Sequence, residues 1–175
     1  LNAWIDPGTA ASLTLRDLDS FPGCVLEFPV RDTHSYLATN DLCRPTELEF
    51  ILNQLVLSGT FSGAASQTAL IGGHALLLTN DLSGNPPVIE IAASGVGFSY
   101  EISCPLVLFD DLEIRGNGDA EIEISSELSD YLEGRGLSKS GSSTVRLSGI
   151  LSYSGTTTVR GGALLFDTPG VASSH

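Results

Sequence analysis

Leu55-Val56-Leu57-Ser58-Gly59-Thr60-Phe61-Ser62-Gly63 is echoed further along the chain by Val145-Arg146-Leu147-Ser148-Gly149-Ile150-Leu151-Ser152-Tyr153-Ser154-Gly155. Each copy runs on to a Gly-Gly pair and an apolar strand. The first reads Ile71-Gly72-Gly73-His74-Ala75-Leu76-Leu77, the second Val159-Arg160-Gly161-Gly162-Ala163-Leu164-Leu165. Thr-Asn-Asp-Leu also recurs, at Thr39–Leu42 and Thr79–Leu82. A repeated strand–turn–strand unit cannot bury its apolar side alone, so such units stack into a solenoid. Gly-Gly corners let the backbone turn with positive φ. The pattern predicts an all-β chain built as a parallel β-helix.

The rest of the sequence fits that reading. Ser12–Leu15, Cys24–Phe28, Val88–Ile91, Leu106–Leu108, Leu112–Ile114 and Ala120–Ile124 are short apolar runs of period-two character bounded by turn formers. A β-sandwich is the alternative, because the same strands could pair as hairpins. Asn117-Gly118, between the runs at 112–114 and 120–124, is the hairpin signal it requires. Two segments read as local helix. Thr46-Glu47-Leu48-Glu49 matches a capping box ahead of Leu48, Ile51, Leu52 and Leu55, although Leu48, Phe50 and Leu52 also alternate as in a strand, and Ser126–Glu133 stops at Gly134; neither changes the all-β class. The expected organisation is one domain over 1–175, with 1–54 as an N-terminal cap or first coils and 55–78 and 144–166 as related copies.

Composition narrows function. The 175 residues carry 8 Lys+Arg against 21 Asp+Glu, a net charge of −13, which repels phosphate backbones and anionic lipid and so excludes nucleic-acid binding. No apolar run reaches the roughly 18 residues a spanning helix needs. Met is absent even at position 1, which reads as a processed product or fragment.

From about Tyr100 to Phe166 the sequence resembles the autotransporter-associated β-strand repeat. A lead-in stands at Pro105–Leu108 and Asp111–Gly116. The repeat proper runs Gly134-Arg135-Gly136-Leu137-Ser138-Lys139-Ser140-Gly141-Ser142-Ser143-Thr144-Val145-Arg146-Leu147-Ser148-Gly149 and continues Tyr153-Ser154-Gly155-Thr156-Thr157-Thr158-Val159-Arg160-Gly161-Gly162-Ala163-Leu164. The resemblance implies a right-handed parallel β-helix in a secreted or surface-displayed bacterial passenger, with a structural or adhesive role and no catalysis. The implied partners are a host or surface protein, a glycan, or copies of the chain itself. Two departures stand out: three Cys where passengers tend to avoid them, and a chain shorter than most.

Candidate chemistry is sparse. Asp110, Asp111, Glu113, Asp119, Glu121 and Glu123 form an acidic cluster. With Ile114, Ile122 and Ile124 facing the core, Glu113, Glu121 and Glu123 would share the outer surface. Carboxylates on adjacent strands, about 5 Å apart, could hold Ca²⁺, so Asp111, Glu113, Asp119, Glu121 and Glu123 are the candidate metal ligands. Against this stands a plain solvated acidic face. Cys24 and Cys43 are separated by about one coil, so stacking could bring them within disulfide range. A polysaccharide-cleaving enzyme would need paired carboxylates, for which Asp110-Asp111, Asn40-Asp41 and Asn80-Asp81 are candidates, although adjacent strand residues point to opposite faces. His34, His74 and His175 have no ligand-spaced partner, and Thr156–Thr158 is a lone threonine row. No catalytic residue and no bound cofactor other than calcium is expected. A second reading is a subunit that adds end to end through its strand edges into a fibre or surface layer.

Overall fold

The computed structural model describes residues 22–41 and 49–167. In chain order the strands come in threes, one on each side of a coil. The first coil holds β1 (Val25–Pro29), β2 (Tyr36–Asn40) and β3 (Glu49–Leu52), and the second β4 (Gln54–Ser58), β5 (Gln67–Gly73) and β6 (Ala75–Leu78). The third has β7 (Val88–Ile91), β8 (Phe98–Ile102) and β9 (Leu106–Leu108), and the fourth β10 (Leu112–Arg115), β11 (Glu121–Ile124) and β12 (Leu128–Asp130). A fifth follows with β13 (Leu137–Lys139) and β14 (Thr144–Leu147), and a sixth with β15 (Thr157–Val159) and β16 (Ala163–Phe166).

Strands of successive coils stack into three sheets: β1-β4-β7-β10-β13-β15, β2-β5-β8-β11-β14-β16, and β3-β6-β9-β12. Every strand pairing among the described residues is parallel. This is a parallel β-helix. Coils shorten from the second coil onward. Stacked partners lie 34 residues apart at Thr60 and Ser94, 25 at Asn117 and Ser142, and 20 at Gly134 and Ser154.

Period-two alternation sends every second side chain inward, where stacking lines like residues into ladders. Leu26, Leu55, Ile89 and Ile114 form one on the first sheet. Ala38, Ile71, Ile102, Ile124 and Leu147 form another on the second. On the third, Phe50, Leu76, Leu106 and Leu128 continue to Leu151 through an isolated bridge. Two tyrosines cross the core: Tyr100 Oη donates to Phe28 O at 2.8 Å and Tyr36 Oη to Pro29 O at 3.0 Å. Phe61, Phe98 and Tyr100 pack ring against ring, with centroids 5.6 and 5.0 Å apart.

One rung of the first ladder is polar. Lys139 pairs with Ile114 below and Val159 above and is fully buried. Its Nζ donates to Ser140 O at 2.7 Å, and desolvation pulls its pKa down. At the corner between the second and third sheets, buried Asn40 donates Nδ2 to His74 O and Ala75 O at 3.1 and 3.3 Å. The stacked Gly73 has φ +100°, and a Cβ there would stand 2.5 Å from Asn40 O.

Several expectations are corrected. The candidate helix beyond Leu48 is strand β3, because Phe50 and Leu52 alternate into the core; the Thr46 cap lies outside the described residues. Ser126–Glu133 contains β12 rather than a helix, with Leu128 buried in a ladder. Asn117-Gly118 does not close a hairpin: β10 and β11 belong to different sheets, which removes the sandwich. The two sequence copies fall out of phase, since Leu55–Ser58 lies in first-sheet β4 and Val145–Leu147 in second-sheet β14. Cys24 stacks beside Asn53, whose N–H donates to Cys24 O at 2.9 Å. Cys43 lies outside the described residues. Among the described residues Cys24 and Cys104 are buried and unbridged, and burial pushes the Cys104 pKa up to about 12.

Ile89 is closed in between Leu55 and Ile114, so Ile89→Ala should cost about 2–5 kcal/mol in denaturant unfolding. Gly73→Ala adds a Cβ where both φ and space forbid it, and a loss of at least about 1 kcal/mol is expected. An unchanged midpoint in either variant would contradict the ladder and corner geometry.

Candidate functional site

Seven of the acidic residues share one arrangement. A carboxylate on one coil accepts a hydrogen bond from a serine on the next. Glu27 takes Ser58 Oγ, Asp32 takes Ser62 Oγ and N (2.7 and 2.8 Å), and Glu101 takes Ser125 Oγ (2.8 Å). Glu113 takes Ser140 Oγ (2.9 Å), Glu123 takes Ser148 Oγ, Glu127 takes Ser152 Oγ (2.8 Å), and Asp130 takes Ser154 Oγ and N (2.7 and 3.0 Å). In each pair the acceptor sits on the earlier coil. An outward carboxylate at one rung and a short hydroxyl one coil on are brought together by the stacking itself. Each such surface link contributes little by itself, but together they line the column.

The five candidate metal ligands are each engaged elsewhere or apart. Asp111 Oδ1 accepts Gly136 N–H at 2.8 Å, and Asp119 Oδ1 accepts Gly95 N–H at 2.7 Å. Glu113 lies on the first sheet, where it also meets Arg115 at 3.4 Å, whereas Glu121 and Glu123 lie on the second. The three therefore do not share one outer face as the alternation suggested, because β10 and β11 straddle a corner. Among the described residues no three His, Cys, Asp or Glu side chains converge as metal ligands.

The outer face of the second sheet forms an open groove of about 560 Å³ that includes Glu101, Glu121, Glu123, Arg146 and Leu165. One row runs Leu70, Glu101, Glu123, Arg146, Leu165 across five strands. Arg146 also pairs with Asp167.

The adjacent Asp pair is split between neighbours. Asp110 Oδ2 accepts Thr79 Oγ1 and Asn80 N–H from the second coil at 3.0 and 2.9 Å, while Asp111 reaches Gly136 toward the fifth. Asp81 organises its own loop, accepting Ser83 N and Asn85 N at 2.8 Å and Asn85 Nδ2 at 2.6 Å. His34 contacts Thr33 Oγ1 at 2.9 Å, His74 sits exposed beside Asn40, and His175 lies outside the described residues. Thr157 and Thr158 are exposed on β15, the outermost strand of its sheet. Sequence reasoning missed the serine partners, because serine is so frequent here that spacing alone gives no signal. It also missed Lys139, whose inward position becomes visible once Ile114 and Lys139 are aligned.

Among the described residues, three carboxylates have depressed pKa values. The Ser62 N–H and then its hydroxyl lower Asp32, and the Asn85 side chain and then its N–H lower Asp81. At Asp130, desolvation opposes the shift, but hydrogen bonds from Ser154 and Arg135 outweigh it.

With the geometry in hand, comparison with known proteins gives one match. Residues 137–166, which span β13 to β16, match the family model described as passenger-associated-transport-repeat. This is the stretch in which the sequence resembles the autotransporter-associated repeat. No curated protein and no solved structure matches the chain. The fold and the match define a parallel β-helical segment whose last two described coils are similar to a passenger-associated-transport-repeat. Among the described residues no helix is long and apolar enough to cross a membrane.

Groups with folded-state pKa values below their unfolded ones add stability that is full above the ordinary carboxylate range and is lost as pH falls through the folded values. The thermal midpoint should therefore hold between about pH 5 and 8 and drop below about pH 4. Asp130→Asn, which cannot ionise, should flatten part of that acid limb. An acid limb identical to wild type would remove Asp130 from the account.

Proposed function

We propose that the chain is a non-catalytic structural and adhesive segment of a secreted or surface-displayed bacterial protein. The observation that supports this is the use of the carboxylates: Asp111, Glu113, Asp119 and Glu123, four of the five candidate ligands, are spent singly on holding one coil to the next. The passenger-associated repeat at 137–166 supports the setting. Such a column presents fixed outer faces, and its role is to hold and display rather than to transform.

The test is incubation with a panel of neutral and acidic polysaccharides, read by release of reducing ends or unsaturated products. No release is expected from the wild type. Turnover abolished by Asp111→Asn would overturn the reading and establish an enzyme. Thermal midpoints in EDTA and in millimolar Ca²⁺ should agree, since no latch requires an ion; a rise with Ca²⁺ would make the acidic face a metal site.

A second reading, end-to-end assembly, is favoured by one observation. Inward positions are closed in the fifth coil but open in the sixth: Lys139 and Leu147 are 0% exposed, while their ladder partners Val159 and Phe166 are 49% and 52% exposed. Among the described residues, β15 and β16 each pair on one side only. If that end joins copies, light scattering after size exclusion should show mass rising with concentration, most strongly at high salt where the −13 charge is screened. Phe166→Asp should abolish the rise. A mass near 18.3 kDa at all concentrations would leave the display reading alone.

A further inference from the structure

The corner between the third and first sheets carries an aromatic pair that the column does not use. Phe109 follows β9 and Tyr131 follows β12, and the Tyr131 N–H donates to Leu108 O at 2.8 Å, which sets the two residues on adjacent coils. Their rings lie 5.3 Å apart with planes tilted by 31°. Unlike Tyr36 and Tyr100, which cross the core, Tyr131 is 60% exposed, and Leu132 beside it is exposed as well.

The turn that displays them is fixed. Asp130 Oδ2 accepts Ser154 N and Oγ, Gly134 N at 3.2 Å and Arg135 N at 3.4 Å, so one carboxylate ties both ends of the 131–134 turn to the fifth coil. Tyr131 and Leu132 are thus held out in a set conformation, which removes ordering cost from any binding event. The neighbouring loop is pinned too, through Thr79 Oγ1 and Asn80 N–H on Asp110, and it carries Leu82, 85% exposed.

Charge decides what could cover this surface. Asp110 and Asp111 follow Phe109, Asp130 and Glu133 flank Tyr131, and Asp81 sits in the pinned loop. The nearby cation, Arg135, stands 3.8 Å from Asp110. A second copy at −13 is repelled, as are nucleic acids and anionic headgroups. A cation is drawn both by the acids and by the face of an exposed aromatic ring. We propose that this corner docks a basic, partly apolar peptide segment of a partner protein, with an Arg or Lys against the Tyr131 ring and an apolar neighbour on Leu132. The inference goes beyond the display role and does not depend on it, since the column is latched whether or not the corner is occupied.

The experiment is fluorescence anisotropy with the whole chain and a short labelled peptide alternating Arg and Leu. Its counterpart with Gln for Arg and a labelled neutral glucan oligosaccharide are run beside it. The Arg peptide should bind and the Gln peptide should not. Tyr131→Ala should weaken binding about two- to fivefold, Tyr131→Phe should stay within about twofold of wild type, and Val96→Ala, on the corner between the first and second sheets, should change nothing. Circular dichroism confirms that each variant is folded. Equal binding by Tyr131→Ala and wild type would overturn the site and leave only diffuse attraction to an acidic protein. Equal binding of the Arg and Gln peptides would overturn the cationic partner. Tyr131-dependent binding of the glucan alone would make the corner a sugar platform instead.

Discussion

Parallel register between stacked coils is the constraint on which the rest of the molecule depends. The three sheets have no hairpins among the described residues to hold neighbouring strands together, so each coil is fixed only by the one before and after it. Because side chains alternate with period two, a slip of one residue in any rung would send a ladder such as Leu55–Ile89–Ile114 into solvent and draw Val56, Glu90 and Arg115 inward. The apolar rungs therefore specify register as much as they supply burial energy. Corners are bound by the same rule: where Gly73 passes over Asn40, the backbone approach leaves no room for a side chain.

The acidic character of the chain follows from this architecture. On a solenoid, outward positions of successive coils are close neighbours, and like charges stacked rung over rung would repel. The chain relieves this with a serine two residues beyond the acid's own rung on the next coil: Glu113 stacks on Ser138 and binds Ser140, and Glu123 stacks on Arg146 and binds Ser148. Where two acids do stack, at Glu101 and Glu123, each is bound to a serine one coil on, Ser125 and Ser148. A net charge that looks in the sequence like the signature of a metal site is here distributed as links between coils.

Much of the fold was legible in the sequence because repeat and alternation are local signals. The Leu-Ser-Gly and Gly-Gly echoes and the short runs with turn formers between them led to stacked coils. Phase was not legible. Coil length changes from 34 residues at Thr60 to 20 at Gly134, so similar segments land on different sheets, and no count along the chain recovers which. The reading of Leu48 to Leu55 as helical failed for a related reason: Leu52 and Leu55 are both buried, but on either side of a corner, which imitates helical spacing. The expected shared face of the candidate carboxylates is divided in the same way. Glu113 and Glu121 alternate correctly within their own strands, yet the corner between β10 and β11 turns them onto different faces.

Lys139 has a consequence outside folding. It is the single lysine of the sequence, and it is enclosed beneath the last coil. A folded column therefore offers no lysine amine to the outside, and reagents, crosslinking enzymes or aldehydes that couple through lysine find none to attack. Any lysine labelling of this chain that does occur reports that the sixth coil has lifted from the fifth.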